Sequence, residues 1–169
     1  MEIHLIRHAD AEDQRLGQLD AERKLTDKGW RQSGWLASTL EALDVRYHTL
    51  ITSPLRRARD TGYTLEHLAD RLEVDELLAN PPESQILDFL GALEVALETL
   101  PEPGPIALIG HQPYLGELIA LMLFGDTMLG RRFEVKKAAL YALEWSGEHG
   151  GRLKYVVTPD LTRHIGQGQ

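Results

Sequence analysis

The chain has 169 residues, a length suited to one domain with a sizeable core, and its 18 Lys and Arg against 26 Asp and Glu leave a formal net charge of −8. An acidic whole without a basic tract argues against a nucleic-acid partner, so any attraction for an anionic substrate has to come from a local cluster. No cysteine is present, which excludes disulfides, thiolate metal sites and a cysteine phosphatase mechanism.

In chain order, Glu2-Ile3-His4-Leu5-Ile6 reads as a short apolar strand that runs out into the polar Arg7-His8-Ala9-Asp10-Ala11-Glu12. Arg15 to Lys24 is polar and reads as a loop, after which Thr26 is the expected N-cap of a helix with Trp30, Ala37, Leu40 and Leu43 at helical spacing. A second strand is expected at Leu50-Ile51-Thr52, and a helix from about Pro54 with Ala58, Leu65, Leu68 and Leu72 on its apolar side. Asn80-Pro81-Pro82-Glu83-Ser84 is a break, followed by a helical stripe of Ile86, Leu90, Leu93, Leu97 and Leu100. Ile106 to Ile109 reads as a strand, and Leu115, Leu118, Ile119 and Met122 as the next helix. Ala138–Trp145 and Arg152–Thr158 read as two strands joined by a turn at Gly147-Glu148-His149-Gly150-Gly151. This order predicts a three-layer α/β fold: a mostly parallel sheet with helices on both faces and an antiparallel edge. Without a repeat or linker, one domain over residues 1–165 is expected, with a flexible tail at 166–169. The opening residues lack a signal peptide's basic start and long apolar core, and the stretch Leu118 to Phe124 is too short to span a bilayer. The expectation is a cytoplasmic protein with no membrane partner.

Three segments share one form, an apolar strand ending in polar residues and leading to a helix. They end in Arg7-His8, in Ser53-Pro54-Leu55-Arg56-Arg57, and in Gly110-His111-Gln112-Pro113. Open α/β sheets place reactive groups at such strand ends. Each piece has an ordinary reading of its own: a surface Arg-His pair, a helix cap with a solvated arginine face, a turn with a satisfied histidine. Their coincidence at three junctions points instead to a phosphate site. Arg7 and Arg57 offer planar forks for phosphoryl oxygens, His8 is the candidate nucleophile, and His111, with Gln112 beside it, is a candidate donor to a nonbridging oxygen. Nearby guanidiniums favour the neutral imidazole that attack requires. A metal site is the poorer reading. His4 and His8 would lie roughly 13 Å apart along a strand, and His8, His111 and His164 lack ligand spacing. A P-loop is absent, so neither metal nor cofactor is expected.

These motifs resemble the histidine phosphatase superfamily, the phosphoglycerate mutase-like group. Leu5-Ile6-Arg7-His8-Ala9 resembles its Arg-His-Gly signature, Ser53-Pro54-Leu55-Arg56-Arg57-Ala58-Arg59-Asp60-Thr61 its Ser-Pro-x-x-Arg-Ala-x-x-Thr segment, and Gly110-His111-Gln112-Pro113 its Gly-His-x-Pro segment. Leu25-Thr26-x-x-Gly29 also fits, so the resemblance runs through positions 1 to 125 in order. It implies that the second phosphate-binding arginine is Arg57 rather than Arg56, and that the second histidine is His111. The Arg-His-Ala-x-Ala-Glu form and the compact length are most similar to the SixA-type branch, the phosphohistidine phosphatases. The departures are Ala9 for glycine, familiar in that branch, and Gln112 for asparagine. Larger relatives carry a proton-donating Glu on an inserted segment, which is short here; Asp10, Glu12 and Glu83 stay open as donors. An imidazole leaving group needs no such acid, because it can bring a proton on its second nitrogen. The expectation is therefore a phosphatase acting on phosphohistidine in a protein. A phosphomonoesterase acting on a small phosphorylated metabolite is the alternative, and a catalytically inactive phosphate- or phosphoprotein-binding module a third reading of another class.

Overall fold

The structure, a computed structural model, describes residues 1–79, 91, 95, 104–146 and 150–166. Six strands form one sheet: β1 (Glu2–Arg7), β2 (Tyr47–Thr52), β3 (Ala69–Val74), β4 (Ile106–Gly110), β5 (Leu140–Trp145) and β6 (Gly151–Val157). Their order across the sheet is β3-β2-β4-β1-β5-β6. The pairs β1–β4, β2–β4 and β2–β3 are parallel, whereas β5 runs antiparallel to both β1 and β6. A mostly parallel α/β sheet with an antiparallel edge is thus what the chain forms.

The inner strands β1 and β4 are apolar on both faces because both faces are covered. Ile3, Leu5, Ile106 and Leu108 pack with α3 (Tyr114–Phe124) through Leu115, Leu118, Ile119 and Met122. Ile6, Ala107 and Ile109 point the other way. They pack against α1 (Asp27–Ala42) and α2 (Arg56–Leu65) through Leu36, Leu40, Ala58 and Leu65. A short helix, α4 (Pro159–Gly166), follows β6 and packs on α1.

Three expectations need correction. The spacing of Leu65, Leu68 and Leu72 suggests one continuous helix, but α2 ends at Leu65 and Ala69–Val74 is the edge strand β3. Two leucines three apart followed by a third four on satisfy a helix, while the strand has only one face to bury and shows no apolar run. Of the residues expected on the inner face of α1, Ala37 and Leu40 are in the core. Trp30 and Leu43 are exposed, and the buried side is Gly29, Gln32, Ser33, Leu36, Ala37, Thr39 and Leu40. Helix α4 is an element the sequence pattern does not predict, at the end of the domain expected to run to 165. The break at 80–84, the stripe from Ile86 to Leu100, most of the turn at 147–151 and most of the tail lie outside the described residues. Among the described residues no helix is long and apolar enough to cross a membrane.

Candidate active site

The parallel register builds the site. β4 lies between β1 and β2, with Arg7 opposite Gly110 and Thr52 opposite Ile109. The next residue of each strand therefore emerges at one carboxyl edge: His8, Ser53 and His111. Backbone bonds continue the ladder past the strands, from His8 N to Gly110 O at 3.1 Å and from Ser53 N to Ile109 O at 2.9 Å. Arg57 reaches the same edge from the first turn of α2.

His8 is only 5% exposed, yet one of its two nitrogens is bonded. Nδ1 lies 2.7 Å from the carbonyl oxygen of Ala9, which can only accept, so the proton belongs on Nδ1 and the lone pair on Nε2. The His111 ring stands 5.0 Å away, centroid to centroid. Burial, reinforced by His111 and by the Arg57 and Arg7 charges, pushes the His8 pKa down to about 3, so the imidazole is neutral at pH 7. His111 is likewise pushed down to about 3, by burial first and then by Arg57.

The hydrogen bonds of His111 also constrain its proton. Its Nε2 lies 2.8 Å from Ser53 Oγ, which already accepts from Leu55 N at 3.3 Å. With the serine proton donated to Nε2 the imidazole proton lies on Nδ1, and with the bond reversed Nδ1 carries the lone pair. That Nδ1 is buried without a hydrogen-bond partner among the described residues, as is Arg7 Nε. Arg7 Nε and His111 Nδ1 are thus held dry and unpaired at one sheet edge, which is costly in a folded protein unless a partner arrives. Arg7 is anchored elsewhere, with Nη1 donating to Val135 O at 2.7 Å. Burial and the Arg57 charge lower its pKa against the opposing pull of Glu134.

Some candidates stand apart from this group. The Gln112 amide is engaged on both sides, donating from Nε2 to Phe133 O at 2.7 Å and accepting at Oε1 from Gly116 N at 3.0 Å. Its side chain is therefore spent on fixing the start of α3 rather than free for a phosphate, which corrects the expectation placed on it. Asp10 accepts from Lys137 at 2.7 Å and from Thr26 Oγ1 at 2.8 Å. Burial alone would push its carboxyl up, but these bonds and the Lys137 charge outweigh it and hold it below the usual range, a poor state for a proton donor. Glu12 pairs with Arg15 at 3.8 Å, and Glu83 lies outside the described residues. Arg56, beside Arg57, is turned to solvent and pairs with Asp60 at 3.6 Å.

Other residues enter that the strand-end pattern does not single out. Thr61 Oγ1 accepts from Ala9 N at 3.1 Å and donates to Arg57 O at 2.8 Å, tying the His8 loop to α2. Asp20, in a short 3₁₀ turn, accepts from both terminal nitrogens of Arg57. Helix α1 is registered on the same loop, since Thr26 N donates to Asp10 O at 3.0 Å and Thr26 Oγ1 caps Gly29 N at 3.1 Å. A Cβ at Gly29 would fall 2.0 Å from Asp10 O. Only glycine fits there.

A family model, the histidine phosphatase superfamily (branch 1), matches residues 3–80, a span that holds Arg7, His8 and Arg57. An uncharacterised protein of Picosynechococcus sp. is 35% identical over 145 residues, covering 85% of this chain and 84% of its own. The chain belongs to the histidine phosphatase superfamily and is a phosphatase. Within the family it is SixA-like. The phosphohistidine phosphatase SixA of Escherichia coli K12 is 29% identical over 161 residues, covering 94% of both chains. The solved structure of the protein histidine phosphatase SixA with tungstate superposes with a TM-score of 0.79 at 22% identity, over 95% of this chain and 98% of that one. The fold also serves other substrates. The alpha-ribazole phosphatase of Shigella flexneri superposes with a TM-score of 0.74 at 17% identity, over 94% of this chain and 97% of that one.

Proposed function

We propose that a single domain over residues 1–165 hydrolyses phosphohistidine on a protein, without a metal, through a phosphorylated His8. The observation that carries this reading is the His8 Nδ1 to Ala9 carbonyl bond at 2.7 Å, which leaves Nε2 with its lone pair. Nε2 attacks phosphorus, and the bond from phosphorus to the substrate nitrogen breaks with its electron pair going to that nitrogen. Arg7, Arg57 and the Nδ1–H of His111 take the three outer oxygens, whose charge is greatest when the bonds are half-made. A substrate imidazole protonated on its other nitrogen leaves as neutral imidazole, so no enzyme acid is needed. Asp10, held as an anion, is consistent with that economy. Water then attacks phosphorus, the bond to Nε2 breaks with its electron pair returning to that nitrogen, the water proton goes to solvent or stays on the phosphate, and inorganic phosphate departs from a neutral His8 still protonated on Nδ1.

The test is trapping with labelled substrate. An acid-labile, alkali-stable phosphoenzyme that disappears in His8→Ala is expected, with turnover unaffected by chelation. Loss on chelation with recovery on adding zinc or manganese would point to a metal mechanism. A phosphomonoesterase is the second reading, favoured by the alpha-ribazole phosphatase that shares this fold. Turnover of a phosphohistidine-bearing protein domain against a panel of alkyl and aryl phosphates separates the two. Binding of vanadate with no turnover of any substrate would indicate an inactive phosphate-binding module.

A further inference from the structure

We infer that Asp20 is a positioning residue for Arg57, clamping the end of its guanidinium so that the side edge is presented to the phosphoryl group. The inference rests on the reading of Arg57 as a phosphate-binding residue.

A guanidinium offers two bidentate edges, an end edge made by Nη1 and Nη2 and a side edge made by Nε and Nη2. Asp20 takes the end edge with two different acceptors. Arg57 Nη1 donates to the Asp20 carbonyl and Nη2 to Asp20 Oδ2, each at 2.9 Å. Among the described residues none accepts a hydrogen bond from Arg57 Nε, since the guanidinium bonds only through Nη1 and Nη2. The side edge is therefore the open one.

Asp20 is itself held from behind. Its other carboxylate oxygen accepts from Arg23 Nη1 at 2.9 Å, and Arg23 Nε donates to Glu12 O at 2.6 Å. The Asp20 carbonyl also accepts from Arg23 N at 3.3 Å. One carboxylate is thus shared between two guanidiniums, one on each oxygen. Hydrogen bonds from Arg23 and Arg57 hold Asp20 below the usual carboxylate range, so the clamp is ionised at neutral pH. The trio keeps one net positive charge for an anion, and Arg57, 7% exposed, gives up its rotamer freedom before substrate arrives. Displacing Asp20 would break all these bonds at once.

The experiment uses the full chain with p-nitrophenyl phosphate as substrate and orthovanadate as the probe of the phosphate site. It compares wild type, Asp20→Ala, Asp20→Asn, Arg57→Ala and Asp20→Ala/Arg57→Ala. Asp20→Ala is expected to lower kcat/KM about 10- to 100-fold, the range of a misplaced group, and to weaken vanadate binding. Asp20→Asn keeps both oxygen acceptors facing Arg57 and is expected to restore much of the activity. Because Asp20 acts through Arg57, adding Asp20→Ala to Arg57→Ala is expected to change nothing further. If Asp20→Ala proves unfolded by circular dichroism, Asp20→Asn decides alone: it must lower kcat/KM in wild type and be silent beside Arg57→Ala. Wild-type kinetics in the Asp20 variants, a defect that multiplies with that of Arg57→Ala, or tighter vanadate binding would each overturn the clamp. Full activity in Arg57→Ala would instead remove the reading of Arg57 on which it rests.

Discussion

His4 and His8 leave the same strand four residues apart, both buried, and their surroundings could hardly differ more. His4 is fully buried with both nitrogens engaged, Nδ1 with Tyr47 Oη at 2.8 Å and Nε2 with Glu2 Oε1 at 2.9 Å, and Tyr155 Oη adds a third contact at 3.2 Å. His8 has one nitrogen on a backbone carbonyl and the other open toward His111, whose Nδ1 is also unpaired. Burial lowers both pKa values, and at His4 the Glu2 carboxylate opposes the shift while at His8 the neighbouring cations add to it. The lesson is that burial alone does not mark a chemical histidine. An incomplete set of hydrogen bonds in a positive setting does.

The largest effect expected from this contrast is at His8 itself. His8→Ala should cost about 10⁴-fold or more in kcat, the scale of losing a nucleophile, while its unfolding midpoint stays near wild type. His4→Phe should do the reverse. It strands the buried Tyr47 hydroxyl and should lower stability by about 2–3 kcal/mol, with kcat of the folded enzyme within about threefold of wild type. Equal loss of activity in the two variants would erase the distinction. Next comes His111→Asn, which removes one donor to a developing charge and should lower kcat about 10²- to 10³-fold in steady-state assays. The two arginines beside each other on α2 sharpen the same point: Arg57→Lys, losing the planar fork, should cost about 10²-fold, and the exposed Arg56→Lys less than about twofold. Similar losses at both would place the phosphate on the wrong arginine.

The smallest effect is on stability against pH. His8 and His111 titrate at about 3 when folded and near ~6.5 when unfolded, so between these values the unfolded chain binds more protons. Stability tied to these groups is complete above pH ~6.5 and is lost as pH falls toward 3. Urea unfolding at pH 7, 5 and 4 should show His8→Asn/His111→Asn losing less stability over that window than wild type, with the gap widening as the pH falls. An identical pH dependence in the two proteins would mean that the histidines are not kept neutral by the fold.

What could be read from the chain was whatever is fixed by residues close together. The strand ends at Arg7, Ser53 and Gly110 announce themselves through apolar runs that stop abruptly, and the parallel sheet follows from their alternation with helices. The edge strand Ala69–Val74 was illegible because its neighbours' leucine spacing imitates a helix and its exposed face carries charge. The inner face of α1 is legible at Ala37 and Leu40 but not at Trp30 or at Leu43 just past its end, apolar groups that face solvent. Asp20 and Gln112 show the limit most clearly. Whether a loop carboxylate meets a guanidinium 37 residues on, or an amide turns to Phe133 instead of the site, depends on contacts made only in three dimensions.

The glycine that opens α1 has a consequence of its own. With the carbonyl of Asp10 resting where a side chain would begin, Gly29 makes the helix a mechanical stop for the loop that carries the nucleophile. The tolerance at that contact is smaller than a single carbon atom. Any bulk introduced there is transmitted two residues along the chain to His8, so the chemistry can be silenced by volume alone, from a position that bears no reactive group.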